Sequence, residues 1–190
     1  ELLEAIPRTL GHATLGVVVH TLHSAAHGIL KMEGKHLKDE SMMFPWWLRR
    51  AAGTSPTLGR SLGHLKDGFG PAANAMLDLR SAGFHPGMFD AVKEAIGSLG
   101  KGAMGQRALA LMNTLRAVGP CPDGILRGEP ELLLAATEGI RTGKVHPPQT
   151  LITGIMDATH AATEFLSVLL SREGSRIYLD YPQDPAVSGS

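Results

Sequence analysis

The sequence predicts an all-α fold, in which a compact multi-helix domain with two long helices and several short ones carries an extended C-terminal arm. The first observation is size, since 190 residues that are 43% hydrophobic can bury one sizeable core. The second is periodicity: apolar residues recur at helical spacing and almost never alternate, so no sheet is expected. The third is punctuation by 23 glycines and 12 prolines, which divide the chain into segments of helix length.

The predicted elements follow these signals along the chain. Long helices are predicted at about 8–33 and 149–172, and shorter helices near 42–52, 56–67, 71–82, 87–99, 103–118 and 129–141. Three helices end at a glycine that follows a basic residue in the last turn, a combination that suits helix C-termini. These glycines are Gly83, Gly119 and Gly143, and each is followed within a few residues by a proline that cannot continue the helix.

Residues 1–174 are predicted as one helical domain and residues 175–190 as an extended arm. The arm, SRIYLDYPQDPAVSGS, contains both tyrosines of the chain and two prolines. Large apolar side chains are costly to leave in water, so the arm is expected to contact a second subunit of a homo-oligomer or to dock on its own domain. The predicted subunit contacts are Ile177, Tyr178, Leu179 and Tyr181.

The charge and cysteine content exclude several classes of protein. With 18 basic and 18 acidic residues, the chain has no overall field that attracts nucleic acid or an anionic membrane, so such a role requires a local patch. The single cysteine, Cys121, rules out an internal disulfide framework and suits a reducing compartment. No apolar run approaches the ~20 residues of a transmembrane helix. An intracellular location or a viral particle is therefore expected.

A row of histidines is the most distinctive motif. In HTLHSAAH, His20, His23 and His27 stand at i, i+3 and i+7, which places them within roughly 60° of one another on a helix. Leu22, Ile29 and other apolar residues occupy the opposite face, so the histidines are expected on a polar face rather than in the core.

The second long helix repeats this spacing with Asp157, His160 and Glu164. If the two rows face each other, imidazoles and carboxylates from both helices can converge on one divalent metal ion, as in helical bundles with carboxylate metal sites. The alternatives are water-facing rows, contacts between subunits, and a pH-sensitive contact between histidine and carboxylate.

Residues 31–66 combine basic side chains with an aromatic and methionine cluster that contains Trp46 and Trp47. Cations beside aromatic faces can bind phosphates and stack on bases, or lie at a membrane interface. The alternative is a short helix that begins at Ser41, with its tryptophans in a core and its charges solvated. The predicted nucleic-acid contacts are Lys31, Lys35, Lys38, Arg49, Arg50, Arg60 and Lys66.

Other motifs do not indicate catalysis. GSLGKGAMG lacks the spacing of a phosphate-binding loop, and the chain contains no nucleophile elbow for a serine hydrolase. The predicted function is therefore a non-enzymatic assembly protein, similar in role to a coat or nucleocapsid protein, that self-associates through its arm and polar helix faces and contacts nucleic acid. The alternative is a metal-dependent helical enzyme that uses the two polar rows.

Overall fold

The computed structural model describes residues 17–35, 37–53, 69–98, 102–118, 125–155 and 157–178, and this part of the chain forms seven α-helices. They are α1 (Leu22–Met32), α2 (Phe44–Ala52), α3 (Phe69–Ser81), α4 (Phe89–Ser98), α5 (Ala103–Val118), α6 (Glu129–Arg141) and α7 (His160–Leu170). Short 3-10 turns at Ser41–Met43 and Pro86–Met88 lead into α2 and α4. The predicted all-α fold class is confirmed, and the helix predicted at 56–67 lies outside the described residues.

Four strands of two residues each form two parallel pairs, contrary to the expectation of no sheet. Strand β1 (Lys38–Asp39) pairs with β2 (Ile125–Leu126), and β3 (Leu151–Ile152) pairs with β4 (Arg176–Ile177). Two residues are too few to show a period of two, so the sequence pattern gave no signal for these pairs. Both pairs join segments that are distant in the chain.

The two long helices are shorter than predicted because a threonine caps each of them. The Thr21 hydroxyl accepts a hydrogen bond from Ser24 N at 3.2 Å, and the Thr159 hydroxyl accepts one from Ala162 N at 3.3 Å. Both threonines have extended backbone, so α1 begins at Leu22 rather than near residue 8, and α7 begins at His160 rather than at 149. Residues 17–20 precede the cap of α1, and residues 1–16 lie outside the described part.

One hydrophobic core lies where α1 and α7 both pack against α6. Its most buried side chains include Leu30 of α1, Leu132 of α6 and Phe165 of α7. A polar group also fixes this packing: the side chain of Glu33, just after α1, is 6% exposed and lies 3.0 Å from Lys35 Nζ and 3.3 Å from Lys144 Nζ. The end of α1 is thereby bound to the loop that follows α6.

A second core lies among α2, α3, α4 and α5. Phe44 and Leu48 of α2 enter it from one side, and Met76 of α3 and Leu115 of α5 line the other. Because Phe44, Leu48 and the half-buried Ala51 occupy the inner side of α2, its exposed residues Trp46, Arg49 and Arg50 lie on the outer side. These outer residues form one of the candidate sites described below.

Helix α3 connects the two cores. Arg80 of α3 reaches Glu131 of α6 with 3.3 Å between Nη2 and Oε1, and both side chains are largely buried, with 14% and 5% exposure. The residue that follows α3 in the turn, Gly83, has a φ of 88° and lies directly against the His160 ring at the start of α7. No helix in the described ranges combines the length and hydrophobicity needed to span a membrane.

Candidate functional site

A small open cleft of about 140 Å³ lies where α1, β1 and the start of α6 meet. Parallel pairing of β1 with β2 places Asp39 opposite Leu126, and the chain then enters α6 three residues later. The pairing thus brings β1 and the distant start of α6 together at the polar side of α1. The residues that line the cleft are His23, His27, Asp39, Ser41, Leu126, Gly128, Glu129 and Leu132.

The two histidines of this cleft lie one helical turn apart on α1. Their ring centroids are 4.7 Å apart with an interplanar angle of 66°, an edge-to-face arrangement. Both side chains are exposed, and neither makes a hydrogen bond within the described residues. The predicted neighbour His20 instead precedes the helix cap and contacts the Ser24 hydroxyl at 3.3 Å. The histidine row is therefore reduced to one adjacent pair, His23 and His27.

Asp39 is held as an anion beside this pair. Its Oδ1 accepts a hydrogen bond from Ser41 N at 2.9 Å, which starts the 3-10 turn before α2. This backbone hydrogen bond is the largest cause of a lowered Asp39 pKa, with a further contribution from the Ser41 hydroxyl and smaller ones from His23 and His27. The carboxylate is consequently ionised at neutral pH while it faces the two imidazoles.

The other row predicted as metal ligands does not join this cleft. Asp157 is exposed in the loop before α7, and the His160 ring lies over Gly83. Glu164 forms an ion pair with Arg141, and the hydrogen bond from Arg141 lowers the pKa of Glu164. All six predicted ligands belong to the described residues, where no group of three or more histidine, cysteine, aspartate or glutamate side chains is arranged to hold a metal ion.

The basic residues predicted to contact nucleic acid divide into paired and unpaired groups. Lys35 is bound to Glu33, and Lys38 lies 2.7 Å from Glu40. Lys31, Arg49 and Arg50 are exposed and form no ion pair with a carboxylate in the described ranges. Arg60 and Lys66 lie outside those ranges. The unpaired charge is thus concentrated at the C-terminal half of α2, with Lys31 on α1.

We call the solvent side of α2 and of the 3-10 turn before it the tryptophan face, defined as Met42, Trp46, Arg49 and Arg50. Met42 is 93% exposed and Trp46 is 48% exposed. The Arg50 guanidinium lies 5.8 Å from the centre of the Trp46 ring, and Trp47 packs edge-to-face against the same ring at 5.0 Å. An aromatic ring, two cations and a flexible thioether therefore share one exposed surface.

The C-terminal arm begins as a strand attached to its own domain. Arg176 N donates to Thr150 O at 2.9 Å, and Tyr178 N donates to Ile152 O at 2.8 Å. Ile177 is half-buried against its own domain, whereas Tyr178 is 62% exposed. The remaining predicted subunit contacts, Leu179 and Tyr181, lie outside the described residues.

Sequence analysis missed the part of the cleft contributed by Asp39 and Glu129. An aspartate two residues before a serine is a local signal for the turn at Ser41. The proximity of Asp39 to α1 and α6 depends on the pairing of β1 with β2, which has no local signal. The chain matches no protein-family model, no curated protein and no solved structure.

Proposed function

We propose that this chain is a non-enzymatic assembly protein whose copies associate through the start of the C-terminal arm and the residues that follow it. The observation that carries the proposal is the outer face of the β3–β4 pair, where Leu151 is 65% exposed and Tyr178 is 62% exposed. We call Leu151, Arg176 and Tyr178 the tyrosine face.

The register of the strands explains why these side chains share one face. Leu151 is paired with Arg176 and Ile152 with Ile177, and paired residues of neighbouring strands project to the same side. Ile152 is buried and Ile177 half-buried, so the second pair faces the domain. Leu151 and Arg176 face outward. Tyr178 is two residues after Arg176 in the extended segment, so its side chain projects to the same side. The pair thus has a covered inner face and an apolar outer face.

The backbone of β4 also favours pairing with a strand from a neighbouring copy. Arg176 and Tyr178 direct their N–H groups toward β3, so the intervening Ile177 directs its backbone groups to the other edge. A sheet edge beside exposed apolar side chains is suited to accept a further strand. The sequence beyond Tyr178 adds Leu179 and Tyr181 in the same segment, and a neighbouring copy supplies an identical one.

The test is the native mass of the full chain, measured by light scattering after size exclusion over a range of protein concentrations. We expect an oligomer for the wild type and a lower mass for both the Leu151→Ser, Tyr178→Ser double variant and a chain that ends at Tyr178. Met104→Ser is the matched control, because Met104 is 85% exposed and belongs to α5, which contributes no residue to the tyrosine face. A monomeric wild type, or variants with the wild-type mass, would refute the proposal.

A second candidate function is contact with single-stranded nucleic acid through the tryptophan face. The observation in its favour is the Trp46 ring with Arg50 beside it and Arg49 on the same side of the helix. Stacking of a base on an aromatic ring contributes about 1–3 kcal/mol, and the two cations are available for phosphates.

This candidate is tested by titrating a single-stranded oligonucleotide while tryptophan fluorescence and anisotropy are followed at two salt concentrations. Arg49→Gln with Arg50→Gln should weaken binding and reduce the salt dependence, whereas Lys93→Gln on α4 should leave both unchanged. Binding to anionic vesicles without binding to the oligonucleotide would instead favour a membrane contact and exclude the nucleic-acid function.

A further inference from the structure

The imidazoles of His23 and His27 form a preassembled pair of nitrogen donors. They lie one turn apart on α1 with 4.7 Å between ring centroids, and no hydrogen bond within the described residues fixes either ring. A transition-metal ion binds imidazole nitrogen at about 2.0–2.1 Å. Two rings at this separation can therefore direct one nitrogen each at a common point by rotation of exposed side chains.

The charge of the cleft favours a cation as its occupant. Besides the two histidines, the residues that line the cleft include the acidic Asp39 and Glu129 and the polar Ser41. Two carboxylates disfavour a phosphate or another anion, while carboxylate oxygen and imidazole nitrogen together are common ligands of Zn²⁺, Cu²⁺ and Ni²⁺. The backbone of Asp39 is held at the cleft by its pairing with Leu126, so its side chain can rotate toward the histidines without leaving the site.

We propose that this cleft binds one divalent transition-metal ion, held by the imidazoles of His23 and His27 and approached by the Asp39 carboxylate, with water in the remaining positions. The described residues contain no preassembled group of three ligands, so the histidine pair provides the first two bonds and Asp39 moves to add a third. Such a site is weaker than a closed structural zinc site, which has four protein ligands.

The site replaces the arrangement predicted from sequence. In the predicted arrangement the partners of the histidines came from α7, but His160 packs against Gly83 and Glu164 binds Arg141. The structure instead brings Asp39 from β1 to the histidines. This proposal does not depend on self-association, because the cleft and the tyrosine face belong to different elements of the chain.

The experiment is calorimetric titration of the untagged full chain with ZnCl₂ alone, repeated in excess Mg²⁺. We expect one strongest site per chain that Mg²⁺ does not compete for, because Mg²⁺ prefers oxygen ligands and retains its water. His23→Ala and His27→Ala should each lower the affinity by at least ~10-fold. Asp39→Asn should lower it less, and the asparagine side chain keeps an oxygen that can accept the Ser41 N–H.

His20→Ala is the matched control, because His20 is also exposed and lies nearby in sequence, but it precedes the helix cap. It should bind Zn²⁺ as the wild type does, and circular dichroism without metal should be unchanged for all four variants, since none of the four side chains is buried. Zinc should also shift the His23 and His27 ring resonances before those of other histidines. No saturable binding, equal losses in all three histidine variants, or competition by Mg²⁺ would overturn the proposal.

Discussion

Replacement of Gly83 by alanine tests how the two cores are joined. Gly83 has a φ of 88°, and a Cβ atom at this position would lie 2.4 Å from His160 Cδ2 and 2.9 Å from His160 Cγ. Left-handed backbone costs an L-residue about 1–2 kcal/mol, and pushing the exposed His160 ring out of its preferred rotamer adds about 0.5–1.5 kcal/mol. We therefore expect Gly83→Ala to lower the free energy of unfolding by about 1.5–3.5 kcal/mol.

Gly143 offers a control that separates backbone strain from overlap. Its φ is 70°, but a Cβ atom there would meet nothing within 4 Å. Gly143→Ala should consequently lower the free energy of unfolding only by the backbone component, about 1–2 kcal/mol. The difference between the two alanine variants measures the overlap with the His160 ring.

The assay is urea unfolding followed by circular dichroism, with a double-mutant cycle at the Gly83–His160 contact. In a His160→Ala background the ring atoms are absent, so Gly83→Ala should cost no more than Gly143→Ala does. Equal losses for Gly83→Ala and Gly143→Ala in the wild-type background would show that α3 and α7 do not meet as described. A double-mutant cycle without coupling between Gly83 and His160 would show the same.

Three further predictions concern buried groups. Phe165→Ala should lower the free energy of unfolding by about 3–5 kcal/mol in urea titrations, because the ring is fully buried where α1, α6 and α7 meet. Arg80→Met should cost about 3–5 kcal/mol in the same titrations, because it leaves the buried Glu131 carboxylate without its cation. Between pH 7 and pH 3, wild type should lose more stability than Glu33→Gln, because the Glu33 pKa is lowered.

The sign of the Glu33 effect follows from opposing causes. Burial raises the pKa of Glu33, but hydrogen bonds from Lys35 and Lys144 outweigh it and the pKa falls below the ordinary value of 4.5. The contribution of Glu33 is thus complete above pH 4.5 and is lost as the pH falls through the lower folded-state pKa. Parallel pH profiles of stability for wild type and Glu33→Gln would contradict this prediction.

For the Arg80→Met prediction, an additional Glu131→Gln substitution should recover part of the lost stability, because it removes the unpaired charge. No recovery would count against the ion pair.

Local signals were sufficient to predict much of the fold. The helices predicted at 103–118 and 129–141 coincide with α5 and α6, and three others agree to within about two residues. Their ends are set by glycine and proline, whose effects depend on the residue itself and its immediate neighbours. Fold class and most helix positions could therefore be read without knowledge of any tertiary contact.

The starts of the two long helices were mispredicted, although the chain contains a local signal for them. Thr21 and Thr159 each accept a hydrogen bond from a backbone N–H three residues later, and threonine is a favoured N-cap. Apolar periodicity continued past both threonines and outweighed this signal. The two helices begin at Leu22 and His160, so His20 and Asp157 lie before them. Both residues were therefore wrongly placed in the predicted metal-binding rows.

The histidine cleft could be predicted only in part, for a different physical reason. His23 and His27 lie on one helix, so their separation follows from local geometry. Asp39 and Glu129 reach them because two-residue strands pair across a long chain separation. A pair of that length has no sequence pattern, and its position is determined by how α1 and α6 pack.

The three proposed surfaces can be tested without confusion between binding defects and unfolding. The tyrosine face lies on β3, β4 and the residue after β4, the tryptophan face on α2 and the turn before it, and the histidine pair on α1. The side chains to be changed on all three are exposed, and none belongs to either buried core. Exposed substitutions usually change stability by no more than about 0.5 kcal/mol, so each set of variants should remain folded and serve as a control for the other two. A variant that lost self-association, oligonucleotide binding and zinc binding together would show that its surface supports the fold, and the function assigned to that surface would have to be withdrawn.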